Sequence, residues 1–355
     1  MTRAAAQTGW LNLANRLLPV GPGLRGGMRA GLLRGLLASG TAPRASASQV
    51  ERVRKNLAMA FPQMEPDALP ALARCNLRSQ FRFGLTVEWM KSAGKAELEE
   101  FFRTRVRVEG EEHLQAAREH DGPVIAFSAH YGVPLLACVH LLFAMEGRKR
   151  VNTFYAPPDE NPSTAGYREL FEKMSPTVNT LLGDGRAVRA GLQALRRGEV
   201  LTMQPDVYDN RSGSALLVPF MGRFTFAMGG TAYFAVKSGA RVIPTWCYET
   251  ERGEWVIRYD APLAPPKTGD SDAAIYELTA AIFSCMEAQI RTVPEHWVYW
   301  YAFASRLLFD VRVPEAAAPD GWQNAFLDLC GRYETAIPGV SDFVAGYRER
   351  AAAPV

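Results

Sequence analysis

Pro123-Val124-Ile125-Ala126-Phe127-Ser128-Ala129-His130-Tyr131-Gly132 decides how this chain is read. The turn signal Asp121-Gly122 precedes an apolar run without polar alternation. Such a run reads as a strand buried on both faces, the habit of parallel sheets. Gly132 and Pro134 suit a tight turn into a helix, and the apolar run Leu135 to Phe143 that follows is uncharged. His130 then falls at the carboxyl end of a strand and at a helix N-terminus, where open α/β sheets place their chemistry. A lone histidine is otherwise most often a bonded core residue.

On both sides of this run, strand and helix patterns alternate. Strands are expected around Val106–Val108, Arg150–Tyr155, Val178–Leu182, Val200–Met203, Val242–Trp246 and Trp255–Tyr259. Helical spacing is expected over Gln49–Phe61 (capped by Ser46 or Ser48), Ala71–Lys91, Glu111–Glu119, Ser163–Lys173, Arg186–Arg197, Thr231–Lys237 and Asp272–Val293. The alternation predicts an α/β fold with a central, mostly parallel sheet flanked by helices and preceded by a helical segment. Arg74, Arg78 and Arg82 repeat every four residues and read as a solvated helix face.

The chain has 355 residues, is 48% hydrophobic and 22% charged, and carries a net charge of +3. That is globular composition, and the charge is too small to imply a nucleic-acid partner. The basic residues are unevenly spread. Arg3, Arg16, Arg25, Arg29, Arg34, Arg44, Arg52, Arg54 and Lys55 face the lone acid Glu51 in the first sixty positions. Two leucine-rich helices there, Trp10–Leu18 and Met28–Leu37, pair apolar with basic faces, as helices lying in a membrane interface do. No 18-residue apolar stretch and no secretory signal pattern is present, so the expectation is a peripheral protein on the cytoplasmic face of the inner membrane. The five cysteines are scattered with no CxxC pair, so no zinc site is expected and free thiols in a reducing compartment are. Three parts are expected: a basic segment over 1–48, an α/β domain over 49–310, and a helical tail over 311–355 whose role the sequence does not indicate.

Several landmarks fall in a telling order. His130-Tyr131-Gly132 is followed by Gln204-Pro205-Asp206, Leu217-Val218-Pro219-Phe220-Met221-Gly222, Gly230-Thr231-Ala232, Gly239-Ala240-Arg241-Val242-Ile243-Pro244 and Pro294-Glu295-His296-Trp297. This series, with Arg54 to Pro62 ahead of it, resembles the bacterial lipid A biosynthesis lauroyl/myristoyl acyltransferases and the wider lysophospholipid acyltransferase superfamily, over roughly residues 50–305. The resemblance implies a glycerolipid-acyltransferase-like fold in which His130 takes a proton from an acceptor hydroxyl as it attacks an acyl thioester. The donor is an acyl carrier protein or coenzyme A thioester, and no bound cofactor or metal is implied.

The chain departs from that pattern at three places. Where the family has an acid five residues after the histidine, this chain has Leu135; its Tyr-Arg-Pro is Tyr155-Ala156-Pro157, and its His-Arg-Arg is Tyr301-Ala302-Phe303. Asp206, at the carboxyl end of another strand, is the leading candidate for a replacement acid, ahead of Asp184, Asp209 and Glu249. The helix N-terminus after His130 is expected to stabilise an oxyanion. Ser128, Tyr131, Gly132, Tyr155, Arg223 and Gly230 are the expected substrate-binding positions, with Arg223 and Lys237 as possible phosphate partners. Trp246, Tyr248, Trp255, Trp297, Trp300 and Tyr301 are expected in the core, with an acyl groove as their other use. His140 and His296 are expected to be structural, and His113 and His120 exposed. The expected activity is acyl transfer to a hydroxyl or amine. A catalytically inactive binding or scaffold protein and a thioesterase are the competing readings.

Overall fold

The computed structural model describes residues 26–303, apart from Thr41, Asp184, 208–214, Glu251 and 267–269, together with Ala345. The expected helix at Trp10–Leu18 and the tail helices lie outside the described residues. Three helices lead in: α1 (Gly26–Ala38), α2 (Ala47–Ala60) and α3 (Leu69–Ser92). Ser46 caps α2 through a reciprocal box with Gln49, and Pro70 sits in the first turn of α3. Ala30, Leu33 and Leu37 of α1 are buried against α3, while Leu32 stays 52% exposed. No helix among the described residues is long and apolar enough to cross a membrane.

The α/β part runs α4 (Lys95–Arg105), β1 (Val106–Glu109), α5 (Glu111–Glu119), β2 (Val124–Phe127), α6 (Pro134–Met145), β3 (Val151–Tyr155), α7 (Ser163–Met174) and β4 (Asn179–Leu182). It continues with α8 (Gly185–Arg196), β5 (Val200–Met203), β6 (Ala215–Phe220), β7 (Arg223–Met228), α9 (Gly230–Ser238), β8 (Arg241–Glu249), β9 (Trp255–Tyr259) and α10 (Ser271–Thr292). Two 3₁₀ turns, Pro294–His296 and Val298–Ala302, close the described chain.

Seven strands form one sheet in the order β1-β9-β8-β2-β5-β3-β4. From β8 to β4 every pairing is parallel; β9 runs antiparallel to β8, and β1 is parallel to β9. β2 lies between β8 and β5, and all four of its residues are buried, as an uninterrupted apolar run requires. Its two faces feed separate cores. Ile125 and Phe127 join the cluster under α2, α8, α9 and α10, whereas Val124 and Ala126 join the one under α4, α6 and α7. The chain leaves β2 through α6 on one face and reaches α9, on the other face, after β5. The gap between the ends of β2 and β5 is therefore a topological switch point, where such sheets bind ligands.

The hairpin β6–β7 forms a separate two-stranded sheet against α10, and no strand was expected there from the sequence. Its turn is made by Met221 and Gly222, both in the left-handed region (φ 54° and 71°). The arginine repeat on α3 also differs from expectation. Arg74 and Arg78 are exposed, but Arg82 is buried, because it forms a two-pronged ion pair with Glu249 and donates to the Leu37 carbonyl at 3.1 Å. Cys138 and Cys247 are buried free thiols, whereas Cys75 is exposed.

Candidate active site

His130 lies three residues beyond β2, and Asp206 three residues beyond β5, at neighbouring carboxyl ends of the sheet. The two side chains meet. His130 Nδ1 is 2.8 Å from Asp206 Oδ1, and the backbone N–H of His130 donates to Asp206 Oδ2 at 2.8 Å. The Trp297 indole N–H donates to that same oxygen at 3.2 Å. A carboxylate accepts only, so the His130 proton sits on Nδ1 and the lone pair on Nε2. The Asp206 side chain is 4% exposed and the His130 side chain 20%, so the acid is enclosed and the imidazole reachable. The Tyr299 ring leans on the imidazole at 4.8 Å between centroids.

The segment 294–302 straps this pair in place. Gly132 N–H donates to the His296 carbonyl, and Val298 N–H to the His130 carbonyl, both at 2.8 Å. Asn76 on α3 anchors the strap by donating to the carbonyls of Glu295 and Trp297 at 2.9 and 2.8 Å. The Gly132 backbone has φ +57°, and a Cβ there would lie 1.8 Å from the Cys247 carbonyl oxygen, so only glycine lets β8 approach the turn this closely.

These bonds occupy the N–H groups of the turn between His130 and α6. The N–H groups of Tyr131, Gly132 and Val133 are all committed, to the carbonyls of Ala129, His296 and Cys247. Pro134 has none.

Below the pair, between α6 and the sheet, a pocket of ≈ 420 Å³, counting its open mouth, is lined mainly by apolar atoms. Ser128 and Gln204, each two residues upstream of a member of the pair, stand in its wall with Pro134 and Tyr155. The Gln204 carboxamide has no hydrogen-bond partner among the described residues. Ser128 Oγ donates to the Ala129 carbonyl at 3.0 Å and is no nucleophile poised against His130.

The remaining expected residues are dispersed. Tyr131 is fully buried in the core; its hydroxyl donates to the Val293 carbonyl at 2.8 Å and accepts from Gln289 at 2.7 Å, which leaves nothing for a substrate. Gly230 begins α9 near Met203 of the pocket wall. Arg223 opens β7, and its side chain lies outside the described residues, as do Asp184 and Asp209. Lys237 is in the last turn of α9, just before β8 pairs with the amino end of β2, so it sits at the opposite edge of the sheet. Glu249 is taken by Arg82. Leu135, at the position of the resemblance's acid, is 3% exposed in the α6 core, and Phe303 is fully buried.

The four aromatics Trp246, Trp255, Trp297 and Trp300 are buried in the cores rather than lining the pocket. His140 is core-bonded to the Tyr259 hydroxyl at 2.8 Å, and burial lowers its pKa to about 4. His113 and His120, expected to be exposed, are half-buried. Sequence reasoning did not find Trp297 as an anchor of Asp206, Tyr299 against His130, or Gln204 in the pocket wall; only the Pro294-Glu295-His296-Trp297 and Gln204-Pro205-Asp206 landmarks pointed to those segments.

An α/β chain with a histidine at a sheet crevice and an apolar pocket behind it has the frame of a group-transfer enzyme. The family model for bacterial lipid A biosynthesis acyltransferases matches residues 35–302, about three quarters of the chain. The chain belongs to that family of acyltransferases of lipid metabolism. No curated protein matches it.

Proposed function

We propose that this protein moves an acyl group from a carrier-protein or coenzyme A thioester to a hydroxyl or amine acceptor, with His130 as the base and Asp206 orienting it. The observation that carries this reading is the 2.8 Å contact between His130 Nδ1 and Asp206 Oδ1, which leaves Nε2 free to act. Nε2 takes the proton as the acceptor oxygen or nitrogen attacks the thioester carbonyl, and the carboxylate stabilises the imidazolium that forms. Collapse of the tetrahedral intermediate breaks the C–S bond, and the imidazolium returns the proton to the leaving thiolate. Gln204 is the uncommitted donor in the wall for the oxyanion, in place of the occupied turn.

Asp206 does from a different strand what Leu135 cannot do. That weakens the reading of an inactive scaffold, whose main motive was the missing acid. The acceptor side faces a membrane in this proposal: α1 carries the exposed Leu32 beside the exposed Arg34, and the basic N-terminal segment precedes it. The protein then works peripherally at the cytoplasmic face of the inner membrane.

The test is product identity. Purified protein is incubated with acyl thioesters and candidate acceptors, and the products are read by mass spectrometry beside His130→Ala. An acylated acceptor absent from the variant is expected. Free fatty acid that depends on His130 would replace transfer by hydrolysis, and turnover that is unchanged in the variant would remove His130 from the chemistry.

A further inference from the structure

Three consecutive residues of the strap touch the His130–Asp206 pair, each in a different way. Trp297 donates its indole N–H to Asp206 Oδ2, Val298 donates its backbone N–H to the His130 carbonyl, and Tyr299 lays its ring against the imidazole. Where the strap sits therefore sets how acid and base face each other. The contact to the acid is the most easily lost of the three. A hydrogen bond to a charged group is ordinarily about 2.7–2.9 Å long, and the indole contact is 3.2 Å. A recession of the strap by ~0.5 Å, the tolerance of a catalytic constellation, takes it out of bonding range.

α3 fixes the strap against such a shift. Asn76 is 0% exposed and gives both amide protons to the carbonyls on either side of His296, those of Glu295 and Trp297. Its own oxygen accepts from Gln80 Nε2 at 2.7 Å, one turn further along the helix. That bond settles which way the amide points, because a flipped Asn76 would turn its oxygen toward two carbonyls. Ser79, on the same helix, bonds the His296 ring between them. The far end of the strap is held separately, by Asn56 of α2 on the Trp300 carbonyl at 2.6 Å. Losing Asn76 therefore frees the near end, which carries the indole, without releasing the whole segment.

We infer that Asn76, oriented by Gln80, is a positioning residue of the acid–base pair: by holding the Glu295 and Trp297 carbonyls it keeps the Trp297 indole on Asp206 Oδ2 and so keeps Oδ1 turned to the imidazole. The reaction it serves rests on the acyl-transfer reading; its hold on the pair rests on the geometry alone.

The pair is read first without any substrate. With histidine labelled with ¹⁵N, the His130 Nδ1 proton is followed by NMR and assigned by its absence from His130→Ala. Wild-type protein is expected to show it as a low-field signal that exchanges slowly with water. In Asn76→Ala and in Trp297→Phe, both checked for native circular dichroism, the same proton is expected to exchange about tenfold faster, the loss of one charge-assisted bond. Gln80→Leu removes only the orienting amide, gives a smaller change in the same direction, and stands in should either of the others fail to fold. A proton unchanged in the folded variants would overturn the inference.

Turnover on an acyl thioester is read second, as a double-mutant cycle with Asp206→Asn. Asn76→Ala alone is expected to lower kcat by about 10- to 100-fold with KM nearly unchanged, the cost of a misplaced catalytic group. In the Asp206→Asn background the same substitution is expected to cost less than about twofold, because the carboxylate it serves is already gone. The full loss repeated in that background would overturn the inference and make Asn76 a support of the fold only. A wild type without turnover removes the transferase reading, and the proton signal then decides the positioning role by itself.

Discussion

His296 belongs to the strap and His130 to the turn it holds, and their surroundings differ sharply. His130 faces a carboxylate and is 20% exposed at the side chain; His296 is 8% exposed and bonded only to neutral atoms, Ser79 Oγ and the Glu249 carbonyl oxygen, each at 2.8 Å. The Glu249 carbonyl fixes the His296 proton on Nε2, so Ser79 donates to Nδ1. Burial, helped by the charge of Arg82, lowers the His296 pKa to about 4 despite Glu249 nearby. Under the proposed function the acid partner on one side and the open nitrogen on the other make His130 a base; two neutral partners and no opening make His296 a strut. The residue type is the same, and the groups bonded to each ring make the difference.

The largest effect that would sharpen this contrast is on the open histidine. His130→Ala is expected to lower turnover by about 10³- to 10⁴-fold, the upper part of the range for a general base, while thermal unfolding moves little. A large loss of stability instead would make His130 a strut as well. The next effect belongs to the buried pair His140 and His296. Their folded-state pKa values of about 4 lie below the ordinary 6.5, so the unfolded chain binds protons first as the solution is acidified. Their contribution is complete above pH 6.5 and is lost as pH falls towards 4, by about 3 kcal/mol for each group. Denaturant unfolding across that window, with His140→Gln or His296→Gln flattening the slope, is the check.

A smaller effect is expected at the acid. Asp206→Asn turns an amide N–H toward Nδ1, which moves the imidazole proton to Nε2 and takes away the base. Turnover is expected to drop about 10²-fold with substrate KM nearly unchanged, and a wholly KM effect would contradict the orienting role. The smallest is Ser79→Ala, which removes one hydrogen bond to His296 and is expected to cost about 1 kcal/mol of stability without touching turnover.

The sheet was legible because β2, β5 and β9 are short apolar runs with clear turn signals, and the helices between them follow a 3.6-residue period. The β6–β7 hairpin was not, because Leu217 to Gly222 reads as a family landmark rather than as alternation, and its left-handed turn begins at Met221, a residue type that does not announce such geometry. His130 was legible from its place after a strand. Asp206 was visible as a candidate, but its contact depends on β2 and β5 being neighbours, and strand order is not written in local sequence. The fate of Arg82 was hidden for the same reason. An arginine repeat signals a wet helix face until a partner such as Glu249, far along the chain, arrives to bury one member.

Asp206 and His130 are separated by 76 residues, and the indole that donates to Asp206 is a further 91 residues beyond it. During synthesis the histidine therefore leaves the ribosome long before either of the groups that tune it. The carboxylate that holds the Nδ1 proton is in turn held by Trp297, the last-made of the three. Under the proposed function the pair is therefore complete only once the strap has been added to the chain.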